Sequence, residues 1–224
     1  AKWLIKLSIF MSQTNLICFN GVGTSFSIGL QYNGQVSSFQ SPSSKNQLGH
    51  ILNFLDDQKK KHSFESLGSI AYVNGPGSFT GIRMALMLAQ GLAFESEVSL
   101  IPIGSLEFLS YIAWKATGME TIHTVMNAYS KEFFIAEYQK DKDGAFILKT
   151  INTSPEKIIK LAQNNFFSFD FDQTGILETS GEVQSLKCSP SELLEYHAIK
   201  LKSFMGHHYM EPEFLYVRED SAWK

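Results

Sequence analysis

The sequence predicts an α/β protein in which mixed sheets are covered by helices, built as two regions of similar size. Three observations indicate this class. Two strand patterns meet at Asn33-Gly34, a dipeptide that favours a tight hairpin turn. Farther along, strand and helix patterns alternate, as in sheets with helical crossovers. After Gly104 a new group of strand patterns begins, and it indicates a second α/β region.

The first region is predicted to hold a strand, a hairpin, a helix, a strand, a central helix and a short final strand. The first of these helices carries Leu48, Ile51, Leu52 and Leu55 at helical spacing. The central helix is expected over 80–95. The predicted strands cover 15–19, 25–32, 35–39, 67–73 and 98–103.

The second region is predicted to open with a helix at Gly104-Ser105. Strands are then expected over 123–127, 133–139 and 145–149, and a helix is expected to start at Ser154-Pro155-Glu156. The segment 164–181 lacks clear periodicity, so strand fragments and loop are expected there. A last helix is predicted from Pro190 to Leu201. We expect two domains, 11–104 and 105–224, with the tail at about 205–224 packing back on the first; residues 1–10 are interpreted as an extension or added residues, not a signal peptide.

The stretch 71–95 is the centre of the first region, because it predicts a buried strand, a tight turn and an apolar helix. Gly75, Pro76 and Gly77 force the backbone to turn. Ser78 and Thr80 are the predicted caps of the helix that follows. That helix has few polar residues on any side, so we expect it to be covered twice. One cover is the protein's own sheet, and the other is a second layer or another subunit.

Composition excludes several classes of function. The chain has 44% hydrophobic and 18% charged residues and a net charge of -3, with one basic run at Lys59-Lys60-Lys61. This run sits at a predicted helix end, where cations suit the helix dipole, so it gives little reason to expect direct nucleic-acid binding. Cys18 and Cys188 do not have the spacing of a metal site or a redox motif. We predict that Cys18 is a buried free thiol, which is typical of a protein in a reducing cytosol. No run is long enough to span a bilayer, and a cytoplasmic location is expected.

The motifs of common enzymes are not met either. The glycine spacing at 75–81 fits neither a P-loop, which needs Gly-Lys, nor the dinucleotide fingerprint. The histidines show no zinc spacing, and Ser78 does not lie in a nucleophile elbow. The residues alone therefore predict a globular α/β protein without a catalytic set and without a metal.

The segment GPGSFTGIR at 75–83, followed by an alanine-rich helix that ends in GLAF, resembles the signature of the bacterial TsaB (YeaZ) family. The motif turn comprises Gly75, Pro76, Gly77, Ser78, Phe79, Thr80 and Gly81. Weaker similarity continues at 102–107 and in the tail at 215–218 and 222–224. The resemblance covers most of the chain from Leu16 onward, but its specific part is the motif turn and Arg83.

The resemblance implies a two-lobed fold of the actin, sugar kinase and Hsp70 type with mixed five-stranded sheets. It also implies a non-catalytic scaffold role in forming threonylcarbamoyladenosine at position 37 of tRNAs that read codons beginning with A. The implied partners are the catalytic subunit TsaD, in a heterodimer, and the ATPase TsaE. The subunit alone is expected to bind no cofactor, whereas ATP or ADP is expected to bind to the assembled complex. Contact with tRNA is expected through that complex. Without its partner, the subunit is expected to form a homodimer.

Two departures from the family bear on activity. The family's first strand commonly ends in Asp-Thr-Ser, and the corresponding residues here are Asn20-Gly21-Val22. The family's Asp-Ala-Arg in the second lobe is here Asn127-Ala128-Tyr129. Asn is neither a carboxylate base nor a strong metal ligand, so both departures weaken the alternative of an actin-like ATPase, a kinase or a glycoprotease-like peptidase with its own activity.

The predicted partner surface combines the two helices of the first region. Two alternatives stay open for the central helix, because periodicity cannot tell one apolar face from another. Either the ridge of Gly81, Ala85, Ala89 and Ala93 meets the partner, or that ridge packs on the protein's own sheet and the partner meets Met84, Met87 and Gly91. The predicted partner-binding residues are Leu48, Ile51, Leu52, Leu55, Thr80, Arg83, Met84, Met87, Leu88 and Gly91.

Overall fold

The computed structural model describes residues 14–41, 46–128, 132–155, 166–170 and 183–204. The strands are β1 (Leu16–Asn20), β2 (Phe26–Tyr32), β3 (Gln35–Ser41), β4 (Ser69–Gly75), β5 (Leu100–Gly104), β6 (Thr121–Ala128), β7 (Glu132–Lys140), β8 (Phe146–Pro155), β9 (Phe166–Phe169) and β10 (Val183–Leu186). The α-helices are α1 (Gln47–Lys61), α2 (Phe79–Ser96), α3 (Ser105–Thr117) and α4 (Pro190–Phe204), with a 3-10 turn at Phe64–Ser66.

The first sheet has the strand order β3-β2-β1-β4-β5. Strands β1, β2 and β3 are antiparallel neighbours, whereas β4 runs parallel to β1 and β5 runs parallel to β4. Asn33 and Gly34 both have positive φ, 49° and 76°, which is the backbone that a tight hairpin turn between twisted strands requires. The predicted hairpin is confirmed.

The second sheet has the order β10-β9-β6-β7-β8. Strands β6, β7 and β8 are antiparallel neighbours, and β9 runs parallel to both β6 and β10. The expected fold of two mixed five-stranded sheets with flanking helices is therefore confirmed. The domain boundary near Gly104 stays a prediction, because a single core cluster joins residues of both sheets to α3 and α4.

Alternation along β1 separates the two layers of the core. Ile17 and Phe19 point to the outer face, where α1 and α2 pack, and Leu16 and Cys18 point to the inner face. The inner face is covered by α4, and α3 lies between the two sheets. The helices α1 and α2 thus form one outer layer, and α3 and α4 form one inner layer.

A buried polar network holds the inner layer together. The carboxylate of Glu107 on α3 accepts hydrogen bonds from the Gly104 backbone N–H at 3.2 Å and from the Tyr196 hydroxyl at 2.7 Å. It also pairs with Lys200 on α4, at 2.8 Å between Nζ and Oε1. The Tyr196 hydroxyl in turn accepts from the Phe146 N–H of β8 at 3.1 Å. One carboxylate therefore ties the start of α3 to α4 and, through Tyr196, to the second sheet.

One predicted helix start is wrong. Strand β8 extends through Ser154 and Pro155, where Ser154 and Thr153 pair with Phe133 and Phe134 of β7. Ser-Pro is a common helix start, but β8 is an edge strand, where a proline without an N–H is tolerated. The rest of that expected helix, the tail at 205–224 and residues 1–13 lie outside the described residues.

The ends of the other predicted helices agree with the structure within a few residues, and α4 begins at Pro190 as predicted. In the part of the chain that the structure describes, no helix combines the length and the apolar character that a bilayer crossing demands.

Candidate partner-binding surface

The Gly-Pro-Gly turn sets the direction in which α2 leaves the first sheet. Gly75 has a φ of 107°, a conformation that side chains rarely adopt, and the bond between Gly75 and Pro76 is cis. The Ser105 hydroxyl donates to the Pro76 carbonyl at 2.6 Å, which fixes the turn to the start of α3. The Ser78 hydroxyl accepts from the Gly81 N–H at 3.3 Å, so Ser78 caps α2 as predicted. Thr80 is not a cap, because the helix already begins at Phe79.

The loop after β1 packs directly on this turn. The Ser78 N–H donates to the Val22 carbonyl at 2.9 Å. A Cβ added at Gly81 would lie 1.9 Å from the Gly21 carbonyl oxygen, and one at Gly21 would lie 2.2 Å from the Gly81 oxygen. Only glycine permits this approach at both positions. Because the loop occupies the space beside the first turn of α2, the N–H groups of Ser78 and Gly81 already have partners and are not available to a phosphate.

Asn20 lies at the end of β1, where the family pattern commonly has a carboxylate. Its side chain is buried, its Oδ1 accepts from the Val22 N–H at 3.0 Å, and its Nδ2 donates to Cys188 Sγ at 3.8 Å. The Asn20 amide thus holds the loop after β1 in place and links it to Cys188. Burial raises the pKa of Cys188 to about 11 and that of Cys18 to about 12, so both thiols stay protonated and unreactive near neutral pH.

A cavity of about 450 Å³ opens between this loop, the turn and the second sheet. Its described walls are neutral: they consist of glycines, hydroxyl and amide side chains, and apolar residues such as Met126 and Phe134. Asn127 forms part of the wall, as an uncharged amide. Within the described residues, no three His, Cys, Asp or Glu side chains come together in a way that would hold a metal ion.

The small-residue ridge of α2 faces the protein's own first sheet. Ala85, Ala89 and Ala93 are buried in the outer core, and Gly81 is half-buried against the β1 loop. Alanine at these positions lets the helix approach the strands closely. Of the two alternatives that the sequence left open, the structure therefore places the ridge inside the protein.

The opposite side of α2 is exposed. Met87 has 70% of its surface accessible and Phe94 has 91%, and Thr80, Arg83 and Gly91 lie on the same side. A Cβ added at Gly91 would meet no atom within 4 Å. Met84 and Leu88 are half-buried beside the core. The exposed stripe follows helical spacing from the first turn of α2 to its last.

The neighbouring helix α1 adds a second exposed stripe. Leu48 and Leu52 are each 49% exposed, whereas Ile51 and Leu55 are buried in the outer core. Of the predicted partner-binding residues on α1, Ile51 and Leu55 pack in the protein's own core and are therefore not available to a partner. An ion pair between Lys59 and Glu95 joins the ends of α1 and α2. We name the exposed set the α1/α2 surface: Leu48, Leu52, Thr80, Arg83, Met87, Gly91 and Phe94.

Two features of this surface were not predicted from the sequence. Phe94 extends the stripe by two turns beyond Met87, and continuing the spacing past Gly91 would have found it. The second feature is a cation–π contact: the Arg83 guanidinium carbon lies 3.6 Å from the centroid of the Phe79 ring, one turn earlier on α2. The cation at the start of the stripe is therefore held in place by an aromatic ring.

Two mixed five-stranded sheets, linked through α3, define a two-lobed α/β protein of the actin-like class. The family model described as "TsaD: tRNA N6-adenosine threonylcarbamoyltransferase" matches residues 38–178, which is more than half of the chain. The protein named TsaB in Haemophilus influenzae is 24% identical in an alignment that covers 96% of this chain and 98% of that one. The chain therefore belongs to the family that the TsaD model describes, and within that family it is similar to the TsaB (YeaZ) proteins.

Other relatives agree with this assignment. The TsaB protein of Escherichia coli is 37% identical over 82 residues, which are 37% of this chain and 36% of that protein. The structure of YeaZ from Pseudomonas aeruginosa superposes with a TM-score of 0.71 at 20% identity, covering 87% of this chain and 95% of that one. The predicted family is confirmed by the sequence matches, and the predicted fold by this structural similarity.

Proposed function

We propose that this chain is a non-catalytic subunit in the formation of threonylcarbamoyladenosine at adenosine 37 of tRNAs that read codons beginning with A. A relative that aligns over nearly its full length carries the name "tRNA threonylcarbamoyladenosine biosynthesis protein TsaB". In this proposal the chain binds TsaD through the α1/α2 surface, TsaE joins the assembly, and tRNA is met through the complex.

The observation that carries the proposal is the α1/α2 surface itself. Large apolar side chains are normally scattered singly over a monomer, whereas here Leu48, Leu52, Met87 and Phe94 stand on two helices of one outer layer. Aromatic residues, methionine and arginine are the side chains enriched in protein interfaces, and this surface contains all three types. Its burial by another helical surface would remove a large apolar area from water.

Two amide side chains, of Asn20 and Asn127, support a non-catalytic role. Asn20 and Asn127 stand where the family pattern has acidic residues, and an amide neither takes a proton from a nucleophile nor holds Mg²⁺ strongly. The amide of Asn20 is also engaged by the Val22 N–H and by Cys188. The role proposed for this subunit is therefore to support its partner, not to transfer the threonylcarbamoyl group.

The interface proposal is tested by placing one charge on the α1/α2 surface. We expect Met87→Glu to keep the fold but to abolish co-elution with TsaD from the same source in size-exclusion chromatography with light scattering. The reason is that an unpaired carboxylate would have to be desolvated at the centre of the contact. Met119→Glu is the matched control, since Met119 is 38% exposed and lies outside the α1/α2 surface. Co-elution of a folded Met87→Glu variant would contradict this interface.

Two further measurements separate the alternatives. Calorimetric titration of the isolated protein with ATP and magnesium is expected to give no binding with turnover; micromolar binding with turnover would replace the scaffold proposal by an actin-like ATPase. Analytical ultracentrifugation of the protein alone and with TsaD tests the homodimer. If the same surface serves both states, TsaD should dissociate the homodimer and Met87→Glu should be monomeric.

A further inference from the structure

We infer that Arg83 is the charged recognition residue of the α1/α2 surface and that the protein bound there presents a carboxylate to it. This inference rests on the proposed function and adds to it the chemistry of the partner's contact residue. It is carried by the arrangement of Arg83, Phe79 and the charges of the outer layer.

The guanidinium of Arg83 is positioned before any partner arrives. It lies over the Phe79 ring at 3.6 Å from the centroid, on the exposed side of α2. A stacked guanidinium keeps its N–H groups directed outward around its edge, and that planar fork matches the two oxygens of a carboxylate. The side chain thus loses less freedom on binding than a free arginine would.

The charge of Arg83 is not explained by its own helix. It is the sole basic residue of α2, and the residues one turn before and after it, Phe79 and Met87, are uncharged, so no ion pair forms along the helix. Among the described residues no carboxylate lies within ion-pair distance of it. By contrast, Glu95 at the other end of α2 pairs with Lys59, and Lys60 on α1 pairs with Asp56.

The surroundings of Arg83 make a counter-charge necessary on docking. Met87 follows one turn later on the same exposed stripe, and Phe79 precedes it by one turn. A partner that covers Met87 would also take water from Arg83, and a desolvated charge without a counter-ion opposes binding. A carboxylate on the partner would offset the desolvation cost of Arg83. The resulting ion pair would also favour partners that carry an acidic residue at this position.

The test compares dissociation constants for TsaD, measured by calorimetry at low and at physiological salt, for wild type, Arg83→Ala, Arg83→Lys and Arg83→Glu. We expect at least tenfold weaker binding for Arg83→Ala, a smaller loss for Arg83→Lys, and at least hundredfold weaker binding for Arg83→Glu. Melting temperatures should stay at the wild-type value, because the side chain is exposed. Lys142→Glu is the matched control, since Lys142 is exposed in the β7–β8 turn of the second lobe, and it should bind within twofold of wild type.

Charge-reversal rescue identifies the carboxylate. Acidic surface residues of TsaD are changed one at a time to arginine and titrated against Arg83→Glu, and one of them should recover at least tenfold of the lost affinity. Phe79→Leu should weaken binding about threefold, because the apolar area stays but the guanidinium is no longer stacked.

The outcomes separate the two proposals. If wild type binds TsaD and Arg83→Glu binds within threefold of it, or if no reversal rescues, this inference is overturned and the proposed function stands. If wild type does not bind TsaD, both are overturned. If Arg83→Glu breaks a homodimer of the isolated protein but leaves TsaD binding unchanged, the carboxylate belongs to a second copy and the inference is likewise overturned.

Discussion

Two pairs of helices cover opposite faces of the first sheet: α1 and α2 on the outer face, and α3 and α4 on the inner face. The two pairs differ in how far their apolar residues are buried. In α3 every residue from Ser105 to Ala113 is buried, and α4 buries an unbroken run from Tyr196 to Ile199. In the outer layer, Leu48, Leu52, Met87 and Phe94 remain exposed. The two layers have similar composition, but the apolar residues of the inner layer are covered by the chain itself, whereas several of those in the outer layer are not.

The polar residues show the same contrast. The inner layer holds buried polar groups that bond to one another, such as Glu107 with Tyr196 and Lys200. His197 Nε2 lies 2.8 Å from Ser69 Oγ, although its Nδ1 has no hydrogen-bond partner among the described residues. The charged contacts of the outer layer, such as that of Lys59 with Glu95, are solvent-exposed and contribute little to stability. The inner layer is therefore closed by contacts within the chain, whereas the outer layer leaves large apolar side chains exposed to water.

The largest effect is expected from moving one charge between the two sides of α2. Ala89→Glu should prevent folding, because it places a carboxylate in the outer core at a cost of more than about 5 kcal/mol. Met87→Glu, two residues away on the exposed side, should change the free energy of unfolding by less than about 0.5 kcal/mol. Circular dichroism during thermal unfolding checks both. A cooperative Ala89→Glu transition near the wild-type temperature would contradict the assigned orientation of α2.

The next largest effect tests the buried network of the inner layer. Lys200→Met should lower the free energy of unfolding by about 3 kcal/mol, because it leaves the Glu107 carboxylate buried without its counter-ion. Lys115→Met is the control: its ion pair with Glu195 has both side chains more than a third exposed, so the cost should stay below about 1 kcal/mol. Urea denaturation compares them, and the double variant Glu107→Gln with Lys200→Met should lose less than the sum of the single losses.

A smaller effect is expected from pH. Burial lowers the pKa of His197 from 6.5 to about 3, so between these values the unfolded chain binds a proton that the native protein does not. Stability therefore falls as pH falls through this window, by about 2 kcal/mol from pH 7.5 to pH 5 for this residue. His197→Gln should show a flatter dependence of the free energy of unfolding on pH. Equal slopes for the two proteins would contradict a buried neutral imidazole.

Local sequence signals predicted much of the first lobe. Asn33-Gly34 fixed the hairpin, and Ser78 was found as the cap of α2 because each signal acts within a few residues. The Ser154-Pro155 signal failed for the opposite reason. Whether Pro155 starts a helix or ends a strand depends on β7, whose Glu132 pairs with Pro155 in the second sheet. The contact of Gly21 with Gly81 and the Glu107 network join residues far apart in the chain, so no local pattern could have revealed them.

The sequence by itself determined the order of strand, turn and helix, the α/β class and the family, because hydrophobic periodicity and the motif from Gly75 to Arg83 are local properties. Only the tertiary structure decided which side of α2 faces the core. Periodicity groups Ala85 with Ala89 and Arg83 with Met87, but it does not say which group meets the sheet. That choice is made by packing: small side chains let the helix lie close to the strands, so the alanines turn inward and Met87 and Phe94 remain in water.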